Sequence, residues 1–154
     1  MVYFIKIVVA REISTLMDRQ TKEKLVESAW AVRENSYSPY SNFKVGAAVL
    51  GEDGRVYVGT NVENVSYGGT VCAERCALFG MVAAGCKKFT ALCVALDLDG
   101  DGAPCLLCRQ VMSELCVSLD VPVFYATRKQ VYEHTMGEIA PLPVMPNSLF
   151  EGQE

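Results

Sequence analysis

The chain has 154 residues, of which 51% are hydrophobic and 21% charged, with seven cysteines and a net charge of −4. Such a length and composition predict one globular domain, 1–154, whose core needs no disulfides. The acidic balance without a Lys/Arg cluster argues against nucleic acid as a partner, and no apolar run approaches the roughly 20 residues that span a membrane.

The opening residues, M-V-Y-F-I-K-I-V-V-A-R-E, are apolar but short. A basic leader is missing and Lys6 interrupts the run, so a secretory signal peptide is not expected. Residues 1–14 are more typical of a first strand or a loose arm. With no secretory signal, an odd number of cysteines favours reduced thiols in the cytoplasm, some of them bound to metal.

The first helix is expected within residues 15–35, where Leu25, Ala29 and Val32 recur at helical spacing with charges between them. No capping box marks its start. The segment S-Y-S-P-Y-S follows as a turn or an extended link, because Pro39 disfavours helix before it.

A β-hairpin is predicted next. F-K-V-G-A-A-V-L (43–50) and R-V-Y-V-G-T-N-V-E (55–63) have strand composition, and G-E-D-G between them has the composition of a turn. The small residues at 46–48 indicate that another element packs closely against this hairpin.

The second half of the chain alternates helix and strand. The predicted elements are a helix from about Cys72 to Ala84, a strand over 89–96, a helix from about Cys105 to Leu119 and a strand over 121–126. Gly85 is expected to end the first of these helices, and Pro104 to precede the second. These steps predict an α/β sandwich with a mixed sheet.

Three cysteines are candidate metal ligands. Cys105 and Cys108 are three residues apart, on one face of a predicted helix, and Cys72 opens another helix. Helix N-termini favour thiolate over thiol, so two such ends could hold Zn²⁺ and leave a fourth position for water. A redox dithiol or a pair of unrelated core thiols would also explain the C-x-x-C pair.

Cys76 leaves a second interpretation open. Four thiolates, from Cys72, Cys76, Cys105 and Cys108, would make a closed structural zinc site in a non-enzymatic binding module. The position of Cys76, one turn inside the helix and before the apolar A-L-F, argues for burial instead.

Charged neighbours of the cysteines have candidate roles. Arg75 and Arg109 could donate hydrogen bonds to the sulfurs and so withdraw negative charge. Glu74 is close enough to exchange protons with a metal-activated water, although an exposed glutamate in the first turn of a helix is a common surface feature.

At these residues the chain resembles the small, three-cysteine, zinc-dependent cytidine deaminases. The resemblance rests on C-A-E-R and P-C-L-L-C-R-Q, together with S-P-Y-S-N-F-K-V-G-A-A (38–48) and G-T-N-V-E-N-V-S-Y (59–67). It covers about residues 20–126. The family implies a three-layer α/β/α sandwich with a sheet of about five strands, assembled as a homotetramer with pockets shared between subunits.

The resemblance also implies a role for each matching residue. Cys72, Cys105 and Cys108 would bind Zn²⁺, and Glu74 would shuttle protons. Phe43 would flank the pyrimidine, Asn61 and Glu63 would bind the ribose 3′-hydroxyl, the Ala73 backbone would read the base, and Tyr67 would reach a neighbouring subunit's pocket. The only histidine, His134, lies outside these motifs and is expected at the surface.

Three departures concern substrate preference. Leu106 and Leu107 stand where the family has small residues, and Ala103 replaces a common serine. Val144 stands where an aromatic residue usually closes a neighbouring pocket, a part that Phe150 could take.

The implied reaction is hydrolytic deamination of cytidine and 2′-deoxycytidine to uridine and deoxyuridine, with release of ammonia. A closer alternative is deamination of another cytosine nucleoside such as blasticidin S, whose detoxifying enzymes share the C-A-E and P-C-x-x-C-R-Q motifs.

Overall fold

The computed structural model describes residues 17–145. The helices are α1 (Arg19–Arg33), α2 (Ala73–Ala83), α3 (Leu106–Leu115) and α4 (Met136–Ile139). The strands are β1 (Val45–Gly51), β2 (Val56–Thr60), β3 (Phe89–Leu96), β4 (Pro122–Ala126) and β5 (Val131–Thr135). The strand or arm expected over 1–14 lies outside the described residues, as does Phe150.

The five strands form one mixed sheet in the order β2-β1-β3-β4-β5. Only β3 and β4 run parallel; the other neighbouring pairs are antiparallel. The chain reaches β4 from β3 through α3, as a parallel pair requires a crossover. The predicted mixed α/β sheet of about five strands is therefore confirmed.

Two hydrophobic clusters cover the two faces of the sheet. On one face α1 packs through Leu25 and Ala29 on alternate residues of β3. On the other face α2, α3 and α4 cover the intervening residues of the same strand. Seven of the eight residues of β3 are buried, since side chains alternate between two covered faces. The result is the expected three-layer arrangement.

Two glycines let the helices approach the hairpin. A Cβ atom at Gly46 would lie 2.0 Å from the carbonyl oxygen of Ala29 in α1, and one at Gly59 would lie 2.3 Å from the amide nitrogen of Ala77 in α2. The close packing predicted from the small residues of β1 is thus present on β2 as well.

Helix α1 begins at a cap that sequence reasoning missed. The carboxylate of Asp18 accepts hydrogen bonds from the backbone N–H of Thr21 at 2.9 Å and from its hydroxyl at 2.6 Å. This is the usual N-cap arrangement, in which an acceptor side chain binds a free N–H of the first turn.

Helix α3 ends four residues before the predicted position. Cys116 is extended and bridges Phe89, and the N–H of Val117 donates to the Phe89 carbonyl at 3.1 Å. The chain leaves the helix because these residues extend the edge of the sheet toward β4.

Strand β5 was not predicted. It pairs with β4 at the edge of the sheet and is only partly buried. Its sequence, V-Y-E-H-T, lacks the apolar run that identified the other strands. Within residues 17–145, no helix has the length and apolarity needed to cross a bilayer.

Candidate active site

Two helices begin at the same place, and their N-terminal residues carry the predicted metal ligands. Cys72 and Cys105 are the N-caps of α2 and α3, and Cys108 lies in the first turn of α3. The three Sγ atoms lie within 4.8 Å of one another, and those of Cys72 and Cys105 are 3.8 Å apart. Among the described residues, this is the only such group of three potential ligands.

The donor set fits Zn²⁺. Tetrahedral zinc with Zn–S distances of about 2.3 Å separates its sulfurs by about 3.8 Å, which matches the spacing of Cys72 and Cys105. Three thiolates fill three corners of the tetrahedron and leave one open. The positive ends of α2 and α3 offset part of the negative charge that three thiolates bring.

Cys76 does not join this group. It lies one turn further along α2, where its N–H donates to the carbonyl oxygen of Cys72 at 3.1 Å. Burial raises the pKa of its thiol. The geometry therefore gives no support to the closed four-cysteine alternative.

Arg75 lies beside the candidate ligands. Its Nη2 atom is 3.7 Å from the sulfur of Cys72 and 3.4 Å from the carbonyl oxygen of Thr70. Its buried Nε atom has no hydrogen-bond partner in residues 17–145. The Cys108 thiol and the Arg75 guanidinium both donate toward Cys72 and lower its pKa to about 5, whereas donation to Cys72 raises the pKa of Cys108.

Arg109, the other candidate donor to sulfur, donates hydrogen bonds to backbone carbonyl groups instead. Its Nε atom donates to the carbonyl oxygen of Pro104 at 2.6 Å, and its Nη1 atom to that of Ile139 at 3.0 Å. It thereby ties the loop before α3 to α4.

Glu74 is buried, with only 4% of its surface exposed. It is the second residue of α2, and its pKa is raised to about 7, chiefly by burial and further by the charge of Cys72. Contact with the Cys108 thiol opposes this shift. The interpretation of Glu74 as an exposed surface residue is therefore wrong, and its carboxyl group lies against the cysteine cluster.

The segment after β2 is held between two others. Val62 forms a parallel bridge with Tyr37 and an antiparallel bridge with Val71, the residue before Cys72. The N–H of Glu63 also donates to the carbonyl oxygen of Tyr37 at 2.8 Å. This pairing brings the N-V-E motif next to the cysteine cluster.

Most of the hydrogen-bonding capacity of the Asn61 side-chain amide is satisfied within the protein. Its Oδ1 atom accepts from the N–H of Val45 at 2.9 Å and from the Ser36 hydroxyl at 2.5 Å. Its Nδ2 atom donates to the carbonyl oxygen of Phe43 at 2.8 Å. An amide nitrogen has two hydrogens, so one N–H is left to donate to a ligand.

Glu63 closes the other end of the same region. Its carboxylate accepts from the backbone N–H groups of Tyr40 at 2.9 Å and Ser41 at 3.3 Å, and from the Ser41 hydroxyl. The Ser41 hydroxyl is the main reason that the pKa of Glu63 is lowered. The carboxylate is therefore held ionised and oriented.

A groove of about 420 Å³ lies at Glu63. Its lining residues are Tyr40, Ser41, Glu63, Asn64, Tyr67 and Thr70. The rings of Tyr40 and Tyr67 meet edge to face, with centroids 6.2 Å apart, and Tyr67 is 78% exposed. Sequence reasoning missed Tyr40 and Ser41 as part of this site, although both belong to the matching S-P-Y-S motif.

Phe43 lies next to Asn61, and Ala73 directly follows Cys72 at the start of α2. Phe43 is partly exposed just before β1 and holds Asn61 through its carbonyl group. Ala73 is fully buried as the first residue of α2, so its N–H has no partner within the helix.

The departures in the second cysteine motif lie at the surface. Leu106 and Leu107 are 78% and 66% exposed at the start of α3. The side chain of Gln110 holds Val144 by two hydrogen bonds to its backbone, of 2.6 and 3.1 Å. Val144 itself is half-exposed.

Comparison with known proteins shows which family has this sequence and fold. Residues 19–123 match the family model described as "Cytidine and deoxycytidylate deaminase zinc-binding region". The cytidine deaminase of Sporosarcina psychrophila is 44% identical over 120 residues, which are 77% of this chain and 88% of that protein. The cytidine deaminase of Halalkalibacterium halodurans is 44% identical over 126 residues, 81% of this chain and 92% of that protein.

Solved structures of cytidine deaminases have a similar fold. The crystal structure of cytidine deaminase from Burkholderia pseudomallei superimposes with a TM-score of 0.74 at 43% identity and covers 83% of this chain and 100% of that one. The crystal structure of cytidine deaminase from Mycobacterium tuberculosis gives a TM-score of 0.66 at 34% identity, with 79% of this chain and 94% of that one covered. The chain belongs to the cytidine and deoxycytidylate deaminase family.

Proposed function

We propose that this protein is a zinc-dependent hydrolase that converts cytidine and 2′-deoxycytidine to uridine and deoxyuridine and releases ammonia. The observation that carries the proposal is the buried carboxyl group of Glu74 beside three thiols that can share one ion, in a member of this family. Such an enzyme would act in pyrimidine salvage.

Cys72, Cys105 and Cys108 would hold the zinc ion, and Arg75 would donate to the sulfur of Cys72. A bound zinc ion is a Lewis acid that makes a water molecule nucleophilic near neutral pH. The remaining chemistry belongs to the side chains of the protein.

Glu74 would move the protons. Hydrolysis forms a C4–O bond and breaks the C4–N bond. One proton of the water must pass to the pyrimidine N3, where it stays in the product, and the second must pass to the leaving amine. The Glu74 carboxyl group lies at the start of α2 beside the cysteines, and it can accept a proton and later donate it at the same place. Burial keeps bulk water from competing for these transfers.

The sugar would bind at Asn61 and Glu63. The free N–H of Asn61 can donate to the ribose 3′-hydroxyl, and the oriented carboxylate of Glu63 can accept from it. Phe43 would flank the pyrimidine, and the N–H of Ala73 would bind its carbonyl oxygen, because that N–H lacks a helical partner.

A nucleoside suits the groove better than a nucleotide. None of its six described lining residues is Lys or Arg, and one of them is the anionic Glu63. A phosphate group usually requires a basic partner. The net charge of −4 likewise supports a free nucleoside rather than a polynucleotide.

A homotetramer with shared pockets is the assembly that we propose. Tyr67 is 78% exposed beside the groove, and Leu106 and Leu107 present apolar surface next to the metal ligands. A neighbouring subunit would cover these side chains and receive Tyr67 in its pocket. We place the enzyme in the cytoplasm because all seven cysteines are free thiols.

Replacement of Glu74 by glutamine tests the proposal. Glu74→Gln keeps the shape of the side chain but removes its ability to exchange protons, so kcat should fall about 10²- to 10⁴-fold while zinc is retained. Ammonia release from cytidine and deoxycytidine, with zinc content measured on the same samples, gives the result. Near-wild-type turnover with zinc bound would exclude this role of Glu74.

A matched control is Glu114→Gln, which changes an exposed glutamate of α3 and should leave turnover unchanged. Blasticidin S in the same assay separates the closer alternative. A preference for it over cytidine would replace the proposed substrates, but not the chemistry.

A further inference from the structure

The loop between β3 and α3 delivers two of the three thiols. Residues 97–104 leave the sheet at the end of β3 and lead directly into Cys105. The three aspartates of this loop are all paired with basic side chains. The pairs are Asp97 with Arg33 and Arg128, Asp99 with Lys129, and Asp101 with His134.

Beside the Arg109 hydrogen bond to Pro104, two further contacts close to the ligands come from the β4–β5 hairpin. The Oδ1 atom of Asp101 accepts from the N–H of Gly102 at 2.9 Å and lies 2.8 Å from Nε2 of His134. The backbone of Gly102 lies directly on Tyr125: a Cβ atom there would be 2.5 Å from Cε1 of that ring. Both contacts fall within four residues of Cys105.

Tyr125 and His134 project from the same face of the sheet. Tyr125 lies opposite Tyr132, and Val123 opposite His134. Since side chains two residues apart share a face, all four point to the side on which α2 and α3 pack. His134 was expected at the surface, but its side chain is only 27% exposed.

The ring of Tyr125 lies close to the reacting groups. The residue is 7% exposed, and burial, followed by the charge of Glu74, raises its pKa to about 12. The charge of Cys108 acts in the same direction. A ring in this place contacts the loop on one side and lies within electrostatic reach of the site on the other.

We propose that Tyr125 and His134 are positioning residues that hold the 97–104 loop where Cys105 and Cys108 can share an ion with Cys72. The inference rests on the zinc site of the proposed function. His134 fixes Asp101, Asp101 fixes the N–H of Gly102, and Tyr125 sets how closely that backbone approaches the sheet. Groups that contact metal ligands without binding the metal keep those ligands oriented and so slow the loss of the metal.

The test is the rate at which zinc leaves the protein. Purified zinc-loaded enzyme is mixed with an excess of the chromogenic chelator 4-(2-pyridylazo)resorcinol, with no nucleoside present. We expect His134→Ala to release zinc about threefold to tenfold faster than the wild type, the range that the loss of one hydrogen bond supports. His134→Gln keeps a donor for Asp101 and should restore most of the wild-type rate.

Glu133→Gln is the matched control. Glu133 is the neighbouring residue of β5, and it faces α1, where it pairs with Lys22 at 2.6 Å. This variant also breaks an ion pair of β5, but on the face away from the cysteines, and should release zinc at the wild-type rate. If His134→Ala releases zinc no faster than Glu133→Gln, the positioning role is wrong.

Gly102→Ala probes the second contact. The added methyl group meets the Tyr125 ring and must displace the loop, so faster zinc release is expected although Gly102 is not itself a ligand. Wild-type release from Gly102→Ala would overturn the role of Tyr125. A wild-type protein that purifies without zinc would instead overturn the proposed function, and this inference with it.

Discussion

Glu74 and Cys76 are two residues apart on α2, yet their side chains have different surroundings. Successive helical residues are about 100° apart, so the two side chains project from nearly opposite sides. Glu74 lies against Cys72 and Cys108, whereas Cys76 stays outside the group of three thiols. This difference separates a catalytic arrangement from a closed structural one.

Cys76→Ala should therefore keep its zinc and its activity. Its thiol is not needed for a three-thiolate site, and its burial is incomplete. Zinc content measured by atomic absorption, together with the rate of cytidine deamination, checks this expectation. Cys108→Ala is the comparison that should lose zinc, since Cys108 belongs to the group. Loss of zinc from Cys76→Ala as well would favour the four-cysteine site.

The sequence indicated the group of candidate ligands better than it indicated the surroundings of that group. The spacing of Cys105 and Cys108, and the place of Cys72 before a helix, were sufficient to predict the cluster that forms. The burial of Glu74 could not be read from a helix pattern, because it depends on how α2 packs against β1, β2 and α3. The partners of Asn61 could not be predicted either, since Ser36 is 25 residues away in sequence.

The elements are held in place by close contact at two glycines. Gly46 lies under α1 and Gly59 under α2, and in each case an added Cβ atom would meet helix backbone, which cannot rotate away. Gly80, within α2, has nothing within 4 Å of such an atom. The same substitution should therefore have opposite effects at different positions.

Gly46→Ala should destabilise the protein by at least about 1–3 kcal/mol, the usual effect of overpacking. Gly80→Ala should stabilise it by about 0.5–1 kcal/mol, because alanine is the better helix former. Urea denaturation of the two variants and the wild type measures both free energies of unfolding. Equal stability of the two variants would contradict the packing described for α1.

The patterns of apolar residues predicted the buried elements more accurately than the exposed ones. The almost fully buried β3 was predicted with its observed bounds, since both of its faces are apolar. The edge strand β5 was missed because it is only partly buried and includes charged side chains. The end of α3 was misplaced because a tertiary contact, the bridge to Phe89, ends the helix.

The whole molecule leaves apolar side chains uncovered beside its site. Leu106, Leu107 and Leu142 are each more than half exposed within the described part of the chain. Leu106 and Leu142 line the same groove, and exposed apolar patches are typical of subunit interfaces. The proposed homotetramer would cover it.

Sedimentation equilibrium should give a mass of about four times the 16.8 kDa of one chain. Leu107→Asp places a charge on the exposed surface at the start of α3 and should lower this mass. Val117→Asp changes a half-exposed residue beyond the other end of α3 and should not. A monomeric wild type would contradict the proposed assembly.

The thiols of Cys72 and Cys105 are 33 positions apart in the chain and come from separate strand–helix units. An ion shared between them would act as a cross-link, because it would restrict the unfolded chain as a disulfide does. Catalytic power and resistance to unfolding would then depend on one inorganic component. A chelator would weaken both together, and mutations elsewhere that loosen the structure would appear first as a poorer hold on the metal.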